Sequence, residues 1–245
     1  MNRVILVRHG ATEWNESGRL QGHGDVPLSS LGQQQAQQLA KRLQREPITS
    51  AFASDLMRAR QTAETILAGR DLPLRISRRL REMAFGAWEG LTSEEIEKGF
   101  TTEWHRWIGD PLRIAPPGGE SLTQLRRRVL AFYRSLTGPR ASSLEGPSAD
   151  TPTAQMGDET SNGTRKTRNA RPIGRRRDGP MDTILIVAHG GPLRALLTHL
   201  LTMPVEGYWR FQVRAASVSI FDVYPEGAIA DVIGDTSHLN GTATH

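Results

Sequence analysis

Two stretches of this chain end in the same way. Val4-Ile5-Leu6-Val7 is a run of apolar, mostly β-branched residues, and Arg8-His9-Gly10 follows at once. Much later, Ile184-Leu185-Ile186-Val187-Ala188 leads into His189-Gly190-Gly191. Short continuous apolar runs of this kind read as strands covered on both faces, as parallel strands are in α/β proteins. Open α/β sheets bind ligands at the C-terminal ends of their strands. Either histidine alone reads as a capped strand end or a core imidazole. Two in matching positions, one of them beside an arginine, read as a pair set side by side over one sheet.

The chain between them alternates in the manner of α/β proteins. The polar, glycine-rich stretch 11–25 reads as an ordered loop over the first strand end. Ser29 or Ser30 is then placed to cap a helix with Ala36, Leu39, Ala40 and Leu43 as its buried stripe and its glutamines outward. A short strand over 50–54 leads to a second helix, on which Leu56, Ala59, Ala63, Ile66 and Leu67 share a face. Arg58 lies near the start of that helix, where the dipole disfavours a cation. It reads equally as a surface residue or as a contact to an anion already drawn to the helix N-terminus.

A third strand is expected over 72–77, then a packed loop, 80–92, in which Glu82 and Glu89 are the candidate acids. A short helix follows over 93–98, and Trp104 and Trp107 bracket a polar pair. The turn Pro116–Ser121 starts a helix with the stripe Leu122, Leu125, Val129, Phe132 and Leu136. After the His189 strand, Leu193, Leu196, Leu197, Leu200 and Leu201 mark another helix, with Arg194 on its polar side. Residues 217–224 and 228–233 read as a closing strand pair.

Composition matters at one place. From about 137 to 181, Gly, Pro, Ser, Thr, Asp and Arg dominate, which reads as a disordered insertion in an otherwise single domain. Residues 163–177 hold seven Lys or Arg and no acid; subtracting these from the chain's +5 leaves −2 for the rest. The basic character therefore belongs to that run. Such a run could bind polyanions, although a solvated linker is the simpler reading and no nucleic-acid partner is expected. There is no cysteine, no apolar run of membrane-spanning length and no leader pattern before the first strand, so a cytoplasmic protein is expected.

The polar groups expected at the strand ends are Arg8, His9, Asn15, Arg58, Glu82 and His189. Two arginines, two histidines and an amide form a pocket for a dianion, because guanidinium bonds phosphate oxygens bidentately and keeps its charge. No Walker motif, HExxH helix or aspartate cluster accompanies them, so nucleoside-triphosphate and metal chemistry are not indicated. Neutral imidazole can attack phosphorus without a base, nearby arginines favour that neutral form, and Glu82 could protonate the leaving oxygen.

At this point the chain resembles the histidine phosphatase superfamily, with its phosphoglycerate mutase-like fold. The resemblance is carried by Leu6-Val7-Arg8-His9-Gly10-Ala11-Thr12 with Asn15, and by Gln21-Gly22 and Asp25-x-Pro27-Leu28-Ser29-x-x-Gly32. It continues through Ser54-Asp55-Leu56-x-Arg58-Ala59-x-Gln61-Thr62-Ala63, Leu80-x-Glu82-x-x-Phe85-Gly86-x-Trp88-Glu89-Gly90 and Gly118-Gly119-Glu120-Ser121. Val187–Gly191 and Gly234–Leu239 complete it, so only about 137–181 departs from the pattern. The resemblance implies an α/β three-layer α/β/α sandwich with a mostly parallel central sheet.

The resemblance also implies a metal-independent phosphomonoesterase acting through a phosphohistidine, with no cofactor. His9 is then the nucleophile and Glu82 the general acid. Arg8, Arg58 and His189 surround the phosphate, Asn15 donates to it, and Gln21, Gly22, His23 and Gly190 belong to the phosphate or substrate site. Arg60 and Glu89 also lie in motifs without a chemical role. The loop Gln21–Asp25 and the short folded part look more like the cofactor-independent phosphatases, broad-specificity or α-ribazole, than the mutases. Phosphoglycerate mutase remains the alternative. The partner implied is a small phosphorylated metabolite, with His23 and the Trp104–Trp107 region toward the leaving group.

Overall fold

The computed structural model describes residues 2–137 and 182–239. The elements in order are β1 (Asn2–Arg8), α1 (Glu13–Glu16), α2 (Ser30–Leu43), β2 (Ser50–Ala53), α3 (Met57–Leu67) and β3 (Leu74–Ile76). Then come α4 (Ser93–Gly99), α5 (Thr101–Gly109), α6 (Leu122–Thr137), β4 (Asp182–Ala188), α7 (Gly190–Leu200), β5 (Val218–Tyr224) and β6 (Gly227–Asp235). The expected insertion lies outside the described residues, except that Thr137 is the last residue of α6.

The strand order is β3-β2-β4-β1-β5-β6. The first four strands run parallel, and β5 and β6 are antiparallel additions beside β1. Side chains on a strand alternate between faces, so a strand between two helical layers needs apolar residues in succession. Val4, Leu6, Ile184, Ile186 and Phe221 enter one core with α6 and α7. Ile5, Val7, Leu185, Val187 and Ile220 enter the other with α2 and α3. The result is the three-layer α/β/α sandwich with a mostly parallel sheet. Leu39 and Leu43 of α2 are fully covered. Truncating one such leucine to alanine costs about 2–5 kcal/mol, a large share of a typical 5–15 kcal/mol stability.

The register sets the site. Arg8 of β1 stands opposite Ala188 of β4, and the His9 amide donates to the Ala188 carbonyl at 3.0 Å. Each strand's next residue is a histidine, so two side chains emerge together where the sheet stops.

Some local expectations change. The loop after Gly10 contains the short helix α1, because Thr12 caps it and Asn15 bonds back to Thr12 in a reciprocal capping box. The glutamines of α2 do not all face out. Gln35 is buried, and its Oε1 accepts the Ala11 amide at 2.8 Å, which satisfies a loop donor that water cannot reach. The strand expected over 72–77 shrinks to Leu74–Ile76; Pro73 offers no N–H to a ladder. Trp104 and Trp107 sit on α5.

Candidate active site

His9 and His189 meet above β1 and β4, with ring centroids 5.0 Å apart. His9 Nδ1 lies 2.7 Å from the Gly10 carbonyl, which can only accept, so Nδ1 carries the proton. Its Nε2 then keeps the free lone pair. His189 Nδ1 lies 3.2 Å from Arg58 Nε, which can only donate, so in the neutral ring Nε2 carries the proton. That Nε2 is buried without a hydrogen-bond partner, a donor awaiting an acceptor. Burial first, then Arg58, holds both imidazoles well below their usual titration range; Arg8 adds to the effect at each ring, and His9 adds to it at His189. Both rings are therefore neutral around pH 7.

Arg58 resolves the two readings its position allowed, because it is no surface residue. It is fully buried, and burial pulls its pKa down to about 10, against the pull of the Glu82 charge. It donates to the Gly24 carbonyl at 2.6 Å and the Gly22 carbonyl at 2.9 Å, besides His189. Three of five donor hydrogens are thus used, which leaves two for an anion. Arg8 donates to the Val213 carbonyl at 2.6 Å, and its Nε is buried and unpartnered. Burial lowers its pKa as well. Thr62 accepts from the Gly10 amide at 3.1 Å and donates to the Arg58 carbonyl at 2.8 Å, which locks the strand end to α3.

Glu82 is brought to the same place from a distant loop. Its Oε1 accepts the Gly191 amide at 2.9 Å and the Met83 amide at 2.8 Å. The Gly191 amide belongs to the first turn of α7, and Glu82 satisfies a donor that has no partner within the helix. A Cβ at Gly191 would push the Glu82 carboxyl out of this position. A Cβ at Gly190 would stand 3.7 Å from Glu82 Oε2 and 4.0 Å from Arg8 Cζ, so carboxylate and guanidinium converge on that buried backbone.

The loop carrying Glu82 is clamped from both sides. Arg81 pairs with Asp55 through Nε–Oδ1 at 2.8 Å and Nη2–Oδ2 at 2.6 Å, and this bond holds the Asp55 carboxyl below its usual range. Arg128 of α6 donates to the carbonyls of Arg79 at 2.9 Å, Arg81 at 2.7 Å and Glu82 at 2.7 Å. Glu120 holds the Arg128 guanidinium in turn.

The remaining expected residues fall at the rim. His23 Nε2 donates to the Glu82 carbonyl at 3.0 Å. Gly22 holds φ +47°, where a side chain is disfavoured and a Cβ would strike Glu89, and its carbonyl serves Arg58. Gln21 is buried with its Oε1 unpartnered. Asn15 Oδ1 lies 3.1 Å from Thr12 Oγ1 and accepts the Thr12 amide at 3.2 Å, so its amino end is the part left to donate. Glu89 Oε1 accepts the amides of His23 at 2.9 Å and Phe85 at 3.1 Å, a structural role. Trp104 and Trp107 stack on each other at 5.5 Å, and each meets the buried Trp88 edge-on at 5.6 Å.

Sequence reasoning missed Arg128, Tyr208 and the packing of Arg194. Tyr208 is buried, and burial raises its pKa, helped by the Glu82 charge. Arg194 is half-buried: its Nε donates to the Phe211 carbonyl at 2.9 Å and its guanidinium lies 5.8 Å from the Tyr208 ring. Among the described residues no group of three or more His, Asp or Glu is arranged to hold a metal ion, and no helix is long and apolar enough to cross a membrane.

The class of site is now defined: two neutral imidazoles, two guanidiniums, a helix N-terminus and one carboxyl, set for phosphoryl transfer. The chain belongs to the histidine phosphatase superfamily (branch 1), whose sequence profile matches residues 4–142 and 158–236. Between its ends that match leaves out 143–157. Over 239 residues the chain is 28% identical to phosphoserine phosphatase 1 of Hydrogenobacter thermophilus, covering 98% of this chain and 95% of the relative. It is 32% identical over 255 aligned positions to a probable phosphoglycerate mutase of Salmonella choleraesuis, covering 99% and 97%. A putative α-ribazole-5'-P phosphatase from Escherichia coli superposes with TM-score 0.76 at 27% identity, covering 96% of each chain. The enzyme class is that of the phosphoric monoester hydrolases.

Proposed function

We propose that this enzyme hydrolyses small phosphate esters by two in-line transfers through a phosphohistidine on His9, without a metal or other cofactor. The observation that carries the reading is the tautomer pair. The Gly10 carbonyl holds the proton on His9 Nδ1 and frees Nε2, while Arg58 turns the unpartnered N–H of His189 into a donor. In the first transfer His9 Nε2 bonds to phosphorus and the ester P–O bond breaks. Glu82 gives its proton to the departing oxygen, so an alcohol leaves. In the second, Glu82 takes a proton from water, the water oxygen bonds to phosphorus, the P–N bond breaks and phosphate is released. Arg8, Arg58, His189 and the Asn15 amide hold the equatorial oxygens, where preorganised charge contributes most to phosphoryl transfer. Gln21, Gly22, His23 and Gly190 complete the substrate site, and the Trp104–Trp107 region walls the leaving-group side.

The whole chain acts as one catalytic domain in this reading, with the basic stretch as an appendage. It works in the cytoplasm, where small phosphate esters are retained by their charge. Phosphatases and a probable mutase stand among the relatives, so the reaction itself must be measured. Phosphate release from phosphoserine, 3-phosphoglycerate, α-ribazole phosphate, sugar phosphates and nucleotides tests it. Steady release from at least one is expected; isomerisation of 3-phosphoglycerate without phosphate release, and dependent on a bisphosphoglycerate, would assign a mutase.

A further inference from the structure

A second cavity, of about 560 Å³, includes none of the catalytic residues. Four arginines line it, Arg113, Arg126, Arg127 and Arg134, against one carboxylate, Glu206. On α6 Arg127 and Arg134 are seven apart and share a face, and Arg126 flanks them about a quarter-turn round the helix. Arg113 pairs with Asp110 at 3.1 Å. Among the described residues Arg126, Arg127 and Arg134 make no ion pair within 4.0 Å, and Arg126 Nε is buried with no hydrogen-bond partner. Like charges that outnumber their counter-charges repel, and a buried unpaired donor is costly. The positive field also reaches a neighbour: burial first, then Arg126 and Arg134, lowers the pKa of His199. The rest of the lining is partly apolar, from Leu112, Leu130 and Val205. The volume falls within the range of small-molecule sites, about 300–1,000 Å³.

We propose that this cavity binds an organic polyphosphate of nucleoside diphosphate type, its phosphates among Arg113, Arg126, Arg127 and Arg134 and its apolar part on Leu112, Leu130 and Val205. Guanidinium groups match phosphate geometry, and an apolar wall favours a ligand that is more than an inorganic anion. The turn that walls the cavity, Val205–Arg210, also carries Tyr208, so this site and the catalytic one share an element.

The test is calorimetric titration of the full chain with ADP while orthovanadate fills the catalytic site. One equivalent should bind, and adenosine should not. Arg126→Ala should weaken ADP binding about tenfold or more, as should Arg127→Ala with Arg134→Ala, both exposed positions that spare the fold. Turnover of p-nitrophenyl phosphate without vanadate should stay unchanged in these variants. No ADP uptake, uptake lost on adding vanadate, or uptake indifferent to all three arginines overturns the proposal. So does a glutamate-rich peptide that binds through these arginines where ADP does not, which would make the cavity a peptide-docking site.

Discussion

His9 and His189 stand 5.0 Å apart because β1 and β4 are hydrogen-bonded in parallel register and each runs directly into its histidine. Neither ring gains a carboxylate partner, and both lie among guanidiniums. The folded protein therefore keeps them neutral well below their usual range, burial being the larger cause. The unfolded chain takes up protons at both near pH 6.5, and the folded chain does not. Stability is then complete above about pH 6.5 and falls as pH drops through it, by up to about 1.4 kcal/mol per pH unit for each histidine. Urea unfolding of the ligand-free protein between pH 7.5 and 5 measures this, and His189→Gln should flatten the slope. A stability curve flat over that range would contradict neutral buried imidazoles.

The role of Glu82 depends on the leaving group. An alkoxide is strongly basic and needs a proton to depart, whereas nitrophenolate leaves readily as an anion. Glu82→Gln should lose most of the roughly 10²–10⁴-fold typical of general acid catalysis on an alkyl phosphate, and much less on p-nitrophenyl phosphate. This holds while transfer to His9 limits the rate, which burst kinetics establish. Glu89→Gln should show no such dependence, because Glu89 is occupied by the His23 and Phe85 amides. Equal losses on both esters for Glu82→Gln would reduce it to a pocket-shaping residue.

Arg128 is a positioning residue for that carboxyl. It holds the Arg79, Arg81 and Glu82 carbonyls at once, which a single ammonium cannot reproduce. Arg128→Lys should therefore lower turnover of alkyl phosphates about tenfold, close to 1.4 kcal/mol, with a smaller loss on the nitrophenyl ester and a shifted pH profile. An equal loss on both esters with an unchanged profile would mean the clamp serves stability alone.

Residues 139–180 should be dispensable for chemistry. Their composition lacks apolar periodicity, and doubling a surface loop's length costs only about 0.6 kcal/mol in closure entropy. Replacing them with a short Gly/Ser linker should leave turnover of a small ester within about tenfold, close to 1.4 kcal/mol of activation free energy. A larger loss would show that the stretch helps build the site.

The strand ends that carry the candidate site were legible because β1 and β4 are buried on both faces, so their apolar runs stop abruptly at Arg8-His9 and at His189. Arg58 was ambiguous in sequence, since a cation in a first helical turn is disfavoured unless something distant needs it; that something is the carbonyls of Gly22 and Gly24 and the ring of His189. Arg128 was not legible at all. Besides Glu120, its acceptors are backbone carbonyls nearly fifty residues upstream, and backbone carbonyls leave no mark in a sequence. Gln35 looked like one more outward glutamine, because the Ala11 amide it satisfies becomes enclosed only when the loop folds over α2.

Rapid acid quench of the enzyme turning over a ³²P-labelled phosphate ester shows whether His9 accepts the phosphoryl group. Label is expected in an acid-labile, base-stable linkage on a peptide containing His9. No label is expected in His9→Ala, and activity should survive a chelator. Label retained in His9→Ala and lost in His189→Ala would contradict this, showing that the two histidines exchange roles.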